Sequence, residues 1–215
     1  MNIGIIGAGH VGGTLGRRLA LESEHTVTFG IRHEPDQQLR EFIDTSGGAA
    51  RAASPAEAAR GADVIVIATP WKETRDAVQK LGDLSGKILI DATNPLKPGL
   101  TGLDVPPDSS AAEQIASWAP GARVVKAFNT TGFNVMANPA FPEGPAAMFY
   151  CGDDAAAKST VCDLIVELGF DPVDAGPLAR ARALEAMALL WVTLAMTTDL
   201  GRGIAFRLAR RQSAT

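Results

Sequence analysis

The chain has 215 residues, enough for one well-filled domain with a small appendage. With 20 basic and 24 acidic side chains its formal charge is −4, which argues against a nucleic-acid-binding surface. Hydrophobic residues make up 46%, as in a soluble globular protein, and the longest apolar run, "AMALLWVTLAM", has about half the ~20 residues that a membrane span needs.

Short β-branched runs alternate with helical patterns along most of the chain. "IGII" (3–6) reads as the first strand and leads into "GAGHVG", where Gly7, Gly9 and Gly12 have the G-x-G-x-x-G spacing. A helix is expected over 11–21. In that context Gly7 permits a tight turn, Gly9 lets the backbone approach a pyrophosphate, and Gly12 allows helix and strand to pack closely. The helix start, with Ala8, His10 and Val11, presents free N–H groups to the phosphates. His10 is either a neighbour of the diphosphate or a solvated first-turn histidine. Gly12, Gly16 and Ala20 form a ridge of small residues suited to close contact with a sheet.

"TVTF" (26–29) is the second strand, and it ends in Gly30, Ile31, Arg32 and His33. An NAD site places Asp or Glu here to receive the ribose hydroxyls, and that carboxylate would repel a 2′-phosphate. An arginine offers the phosphate a planar fork instead. Ile31, Arg32 and His33 therefore mark a site for NADP(H).

A weak strand near 49–53 is followed by Ser54-Pro55-Ala56-Glu57, a capping residue with Pro at the first helical position and Glu at the third. "VIVIA" (64–68), "ILIDA" (88–92), "RVVKAF" (123–128) and "AMFYC" (147–151) continue the strands, with a last weak one near 170–174. Strands this uniformly apolar are expected to be buried on both faces of a parallel sheet. Their ends carry Thr69-Pro70, Thr93-Asn94-Pro95, and Lys126, Ala127, Asn129 and Thr130. Asn94 and Asn129 are candidates to bind a nicotinamide carboxamide or ribose. Thr69 and Pro70 either face the same ligand or simply begin a helix. Ser110 with Glu113 repeats the capping pattern, Asp153 or Asp154 caps a helix reaching Leu168, and Gly169 ends it. The segment 94–108 is the one long loop, and loops of that length are often functional.

The C-terminal part, 178–210, is expected to be a helical extension, with its main helix over 183–198. Leu184, Met187, Leu190, Trp191, Leu194 and Ala195 occupy more than one face of it, so a homodimer is expected to cover what one sheet cannot, the alternative being that the N-terminal domain of the same chain folds over it. Arg207, Arg210 and Arg211 read as a solvated helix end. Cys151 and Cys162 form no CxxC pair and have no nearby histidine, so no metal site is expected and both thiols should be reduced. "NIGIIGAG" has no basic segment before it, and a cytoplasmic protein is expected. The fold expected is a single α/β domain over 1–215, a Rossmann-type doubly wound, mostly parallel sheet that binds NADP(H).

"IGIIGAGHVG", "FGIR", "DATNPL", "SAAEQIASWAPGARVVKAFNT", "GDDAAAKSTVCDLIVELGFDPVDAGPLARARALE" and "LGRGIAF" together carry a resemblance. The chain resembles the NADP-dependent reductases of the deazaflavin coenzyme F420 and the related cytosolic domain of transmembrane metalloreductases. "KAFNT" followed by "DAGPL" and Arg-x-x-Glu is the specific part. The resemblance implies a homodimer that moves hydride between NADP(H) and a flavin-like ring lying near the segment after Gly176. Arg32 matches the family's phosphate-binding arginine, with Ile31 where a serine is usual. Ala186 and Ala188 stand where the family tends to carry hydroxyl residues after the acid matching Glu185, implying a more apolar ring pocket.

The function expected is therefore an oxidoreductase acting between NADP(H) and coenzyme F420 or another flavin-like acceptor. Hydride transfer between stacked rings needs orientation more than acids and bases, and 179–206 contains no Lys, His, Cys or Tyr. Two other readings stay open. One is an imine or carbonyl reductase, for which Lys126 is the near proton donor. The other is a non-catalytic NADP(H)-binding sensor.

Overall fold

A computed structural model describes residues 1–209 and 211. The chain alternates strand and helix: β1 (Asn2–Ile6), α1 (His10–Leu21), β2 (Thr26–Gly30), α2 (Gln37–Thr45), β3 (Ala50–Ala53), α3 (Pro55–Arg60), β4 (Val64–Ile67), α4 (Trp71–Gln79), β5 (Ile88–Asp91) and α5 (Ala111–Trp118). It continues with β6 (Arg123–Lys126), α6 (Phe133–Ala137), β7 (Ala147–Gly152), α7 (Ala155–Glu167), β8 (Asp171–Asp174) and α8 (Ala181–Thr197). All the expected strands are present, the two weak ones as β3 and β8. They form one eight-stranded sheet in the order β3-β2-β1-β4-β5-β6-β7-β8. Only the β6–β7 pairing is antiparallel, so the fold is the doubly wound α/β architecture expected.

Alternate residues of each strand feed opposite sides of the sheet. Val64 and Val66 join Leu15 and Leu19 of α1 and Val161 and Leu164 of α7 on one face. Ile65 and Ile67 meet Ala58 and Ala59 of α3, Val78 of α4 and Ile115 of α5 on the other. Each such Val, Leu or Ile side chain fully removed from water contributes roughly 1.5–3 kcal/mol. The small-residue ridge works as expected: a Cβ on Gly16 would lie 2.5 Å from the Phe29 ring, so α1 can sit this close only without one.

The start and stop signals are realised. Ser54 and Glu57 make the reciprocal capping box of α3. Asp154 caps α7 through the Ala157 N–H, whereas Asp153 accepts from the Leu178 N–H. Gly169, with φ +74°, turns the chain out of α7.

The C-terminal extension departs from expectation. It is helical only to Thr197; residues 198–209 return across the domain without regular structure. Gly201, with φ +64°, takes a left-handed conformation that ends any helical continuation. The returning segment is held by Trp191 Nε1 donating to the Ile204 carbonyl and by Asn134 Nδ2 donating to the Arg202 carbonyl. Arg207 is thus no helix end; its guanidinium donates to the Glu143 carbonyl. Arg211 is exposed beyond the helix, and Arg210 lies outside the described residues. On α8 itself, Leu184, Ala188, Trp191 and Ala195 are buried against the domain, while Leu190 and Met196 are exposed. The domain covers one face of this helix and leaves the other open. Among the described residues no helix is long and apolar enough to cross a membrane.

Candidate functional site

The C-terminal edges of β1, β2 and β4 surround a cleft of about 540 Å³. Gly7, Ala8, Ile31, Arg32, His33, Thr69 and Pro70 all line it, so these sequence-predicted residues converge. Leu39, Ser54, Glu73 and Ala77 complete much of the wall. The glycines have separable roles. Gly7, with φ +99°, makes the turn, and a Cβ there would come within 2.8 Å of the Ala68 carbonyl oxygen. A Cβ on Gly12 would lie 1.9 Å from the Gly7 carbonyl oxygen, so helix and turn touch there. A Cβ on Gly9 would meet nothing within 4 Å, which leaves the backbone of the turn open to an approaching group. A cradle that is tight behind and open in front suits a pyrophosphate at a helix N-terminus.

His10 opens α1 exposed, its ring stacked on Phe133 of α6 at 4.6 Å and 16°. Val11 packs against the core beside it. Thr69 is not the cap of α4: that position is Pro70, and Thr69 Oγ1 pairs with Thr74 Oγ1 at 2.9 Å. Arg32 projects over the cleft, where the Glu73 carboxylate accepts from its guanidinium.

Asn94, Ala127 and Asn129 form a second group at the tips of β5 and β6, outside that cleft. Asn94 Nδ2 donates to the Asn129 carbonyl at 2.9 Å, and Asn129 Nδ2 donates to Asn94 Oδ1 at 3.2 Å and to the Leu184 carbonyl at 3.1 Å. Ala127 is fully buried behind them, and its N–H donates to the Asp91 carbonyl at 3.1 Å. Phe128 holds φ +61°, uncommon for a bulky residue, and its N–H points at Met148 Sδ. At and after this turn, buried side-chain oxygens find no partner among the described residues: Asn129 Oδ1, Thr130 Oγ1, Thr131 Oγ1 and, in α6, Asn134 Oδ1. Buried polar atoms are normally satisfied.

Beneath this turn lies a charged cluster that sequence reading did not assemble. Lys126, Asp91 and Glu185 are each fully buried. Lys126 Nζ donates to Asp91 Oδ2 at 2.7 Å and to the Thr93 carbonyl at 2.7 Å, with Glu185 Oε1 at 3.0 Å. Asp91 Oδ1 also accepts from the Thr93 N–H and hydroxyl. Glu185 accepts from the Ala111 and Ala112 N–H groups, which neutralises the start of α5. Burial alone would lower the lysine pKa, but the two carboxylates outweigh it and the ammonium is held above its usual range. Burial raises the Glu185 carboxyl above its ordinary value, with Lys126 opposing. Burial likewise pushes the Cys151 thiol up to about 12. Lys126, with three acceptors and no exposure, is not placed to donate a proton to a substrate. The signal was present: Asp91 and Lys126 are charges inside apolar strands, and the parallel register puts them side by side.

Ala186 and Ala188 do not line one pocket. Residues two apart on a helix differ by about 200° in direction, and here Ala186 is exposed while Ala188 is buried. Among the described residues no group of three or more His, Cys, Asp and Glu side chains is gathered to hold a metal ion.

Comparison with known proteins agrees with this fold. Residues 2–95 match the family described as NADP oxidoreductase, coenzyme F420-dependent. The chain is 34% identical to Metalloreductase STEAP3 of Rattus norvegicus over 87% of its own length but only 36% of that protein's. It is 31% identical to the F420-dependent NADP reductase of Methanocaldococcus jannaschii, covering 64% of each chain. The chain thus spans about a third to two thirds of these curated relatives. Among solved structures, a candidate F420-dependent NADP reductase from Arthrobacter sp. FB24 superposes with a TM-score of 0.85 at 32% identity, over 98% of this chain and 100% of that one. On that full-length likeness, the chain belongs to the family of coenzyme F420-dependent NADP oxidoreductases.

Proposed function

We propose that the protein catalyses hydride transfer between NADP(H) and coenzyme F420 or another flavin-like ring, as a cytoplasmic homodimer. The observation that carries the nucleotide part is Arg32 at the end of β2, over the same cleft as the glycine turn and in place of the acid an NAD site would carry. The guanidinium supplies a charge-assisted, two-pronged contact to a 2′-phosphate. Gly7, Gly9 and the start of α1 hold the diphosphate, with Ala8, His10 and Val11 beside it. Asn94 and Asn129, paired at the tips of β5 and β6 with Ala127 behind them, orient the nicotinamide end. NADPH supplies the hydride when bound. What the chain contributes is alignment, because ring-to-ring transfer depends on holding reacting atoms near 3–3.5 Å. For a carbonyl or imine acceptor a proton donor would also be needed, and the engagement of Lys126 removes the candidate named for it.

The open face of α8, with Ala183, Ala186, Leu190 and Met196 exposed, is the surface we assign to the homodimer. Sedimentation at micromolar concentration tests it; a clean monomer refutes that assignment.

The nucleotide reading is tested by titrating NADPH and NADH against the wild type and Arg32→Ala. NADPH is expected to bind at least tenfold tighter, a difference of ~1.4 kcal/mol, and Arg32→Ala to abolish the preference. Equal affinities in the wild type refute the reading. The acceptor follows from mixing protein and NADPH with F420, FMN, FAD and ferric chelates; oxidation of NADPH by none of them leaves only a binding module.

A further inference from the structure

The carboxylate missing from the end of β2 is present in the cleft after all, delivered by another element. Glu73 stands in the first turn of α4, and its carboxylate reaches across to accept from the Arg32 guanidinium. Both residues line the same cleft, and the Arg32 and Glu73 side chains are 64% and 34% exposed. Of the three other acids lining the cleft, two are engaged elsewhere and the third, Glu34, stands almost wholly in solvent. Asp36 caps α2 through the Leu39 N–H, Asp76 is paired with Lys80 at 2.8 Å, and Glu34 lies 4.0 Å from Arg40. Glu73 is therefore the anion that meets Arg32.

We propose that Glu73 sets the nucleotide selectivity of this cleft by competing with the 2′-phosphate for Arg32. The proposal rests on the nucleotide reading above. Glu73 already takes one prong of the planar fork, Nη2, and a phosphate that takes both prongs must displace it. A phosphate docked on Arg32 also lies beside the displaced Glu73 charge, which repels it. NADH asks for neither change: its ribose hydroxyls are donors, and a carboxylate accepts from them while Arg32 stays paired. Selectivity is a difference of two affinities, and an element that disfavours one ligand moves it as surely as one that favours the other. Arg32 pulls the cleft toward NADPH and Glu73 pulls it back. Because both groups are solvent-exposed, the opposing pull is modest, a several-fold factor and not a thousandfold one.

The test is isothermal titration of NADP+, NAD+ and 2′-AMP into the wild type, Glu73→Gln, Arg32→Ala and the double variant. Glu73→Gln is expected to tighten NADP+ and 2′-AMP by about fivefold while NAD+ binds no better. In the Arg32→Ala background the same substitution should gain less, since the contested partner is gone. An NADP+/NAD+ affinity ratio unchanged by Glu73→Gln overturns the proposal and leaves the nucleotide reading standing. Equal tightening of both nucleotides overturns it as well. A wild type that binds neither dinucleotide overturns both readings together.

Discussion

The sheet carries two ionic clusters along one edge, and they differ in nearly everything but chemistry. Arg32 and Glu73 meet at the mouth of the cleft with 64% and 34% of their side chains exposed. Asp91, Lys126 and Glu185 meet inside, each with no exposure. An exposed pair gains little from its attraction, because water screens it and two long side chains must be held still. It can therefore open for a ligand. A buried cluster has lost its hydration, and its members cannot separate without leaving a bare charge in the interior. One pair is available to exchange partners; the other fixes β5, β6, α5 and α8 relative to one another.

The sharpest way to break this comparison is Lys126→Met. It leaves Asp91 and Glu185 facing each other with no cation between them, and uncompensated buried charge costs about 3–5 kcal/mol. In a domain of this size that lowers the melting temperature by about 10 °C. Scanning calorimetry at neutral pH measures it. A loss below about 1 kcal/mol would mean that the cluster is far wetter than its geometry states.

Glu185→Gln sharpens the same point through pH. Burial raises the Glu185 carboxyl above its ordinary value of 4.5, with Lys126 opposing. Between that value and the raised folded one, the folded state binds the extra proton and the unfolded state does not, so stability falls as pH rises. The wild type should thus lose stability relative to Glu185→Gln as pH climbs from below 4.5 toward neutrality. Parallel urea midpoints at several pH values test this, and a difference that grows in the wild type's favour contradicts it. Glu185 meets the Ala111 and Ala112 N–H groups with separate oxygens, so the glutamine keeps an acceptor for only one of them; that loss is the same at every pH and leaves the slope as the readout.

How much of this was legible in the sequence depends on distance along the chain. Strands such as "VIVI" declare themselves locally, because a run apolar at every position suits a sheet covered on both faces. Ser54, Asp154 and Gly169 were legible because caps act within a few residues. The Rossmann cleft followed from a glycine spacing read between a strand and a helix. Glu73 was not legible, since it lies forty-one residues from Arg32 and only the crossover to β4 and α4 brings it there. The buried cluster draws on residues 91, 126 and 185, which sheet register and the return of α8 place together. The stretch after α8 was misjudged for a different reason. Its apolar pattern persists through Ile204, Ala205 and Phe206, yet the helix stops at Thr197, Gly201 turns left-handed and the apolar residues serve the returning segment.

At the exposed end of the comparison, Arg32→Ala should separate binding from folding. Removing a surface arginine changes stability by no more than about 0.5 kcal/mol, whereas the 2′-phosphate contact proposed for it would amount to about tenfold in affinity, or ~1.4 kcal/mol. Melting curves of the nucleotide-free proteins should nearly coincide, while NADPH raises the wild-type melting temperature more than the variant's. Equal shifts with NADPH would place the phosphate contact elsewhere.

Arg182 and Glu113 offer a case between the extremes, and the smallest effect. Glu113 sits in the first turn of α5, where Arg182 of α8 donates to it from Nε at 2.9 Å and from Nη2 at 2.6 Å. Their side chains are 44% and 25% exposed, less open than Arg32 and far from sealed. The hydrogen bond from Arg182 holds the Glu113 carboxyl below its usual value, partly offset by burial and helped by Ser110. A depressed folded pKa gives stability that is present above the unfolded value of 4.5 and is lost as pH falls through the folded one. With this much solvent the pair contributes only about 0.5 kcal/mol. Glu113→Gln should therefore cost about that much at pH 7, and the deficit should vanish in acid. The same α5–α8 contact bears on Glu185, so a double variant with Glu185→Gln tests whether the two act independently. Additivity within about 0.5 kcal/mol would show that the exposed pair merely decorates the contact. A larger coupling would mean that Arg182 helps seat the buried carboxylate.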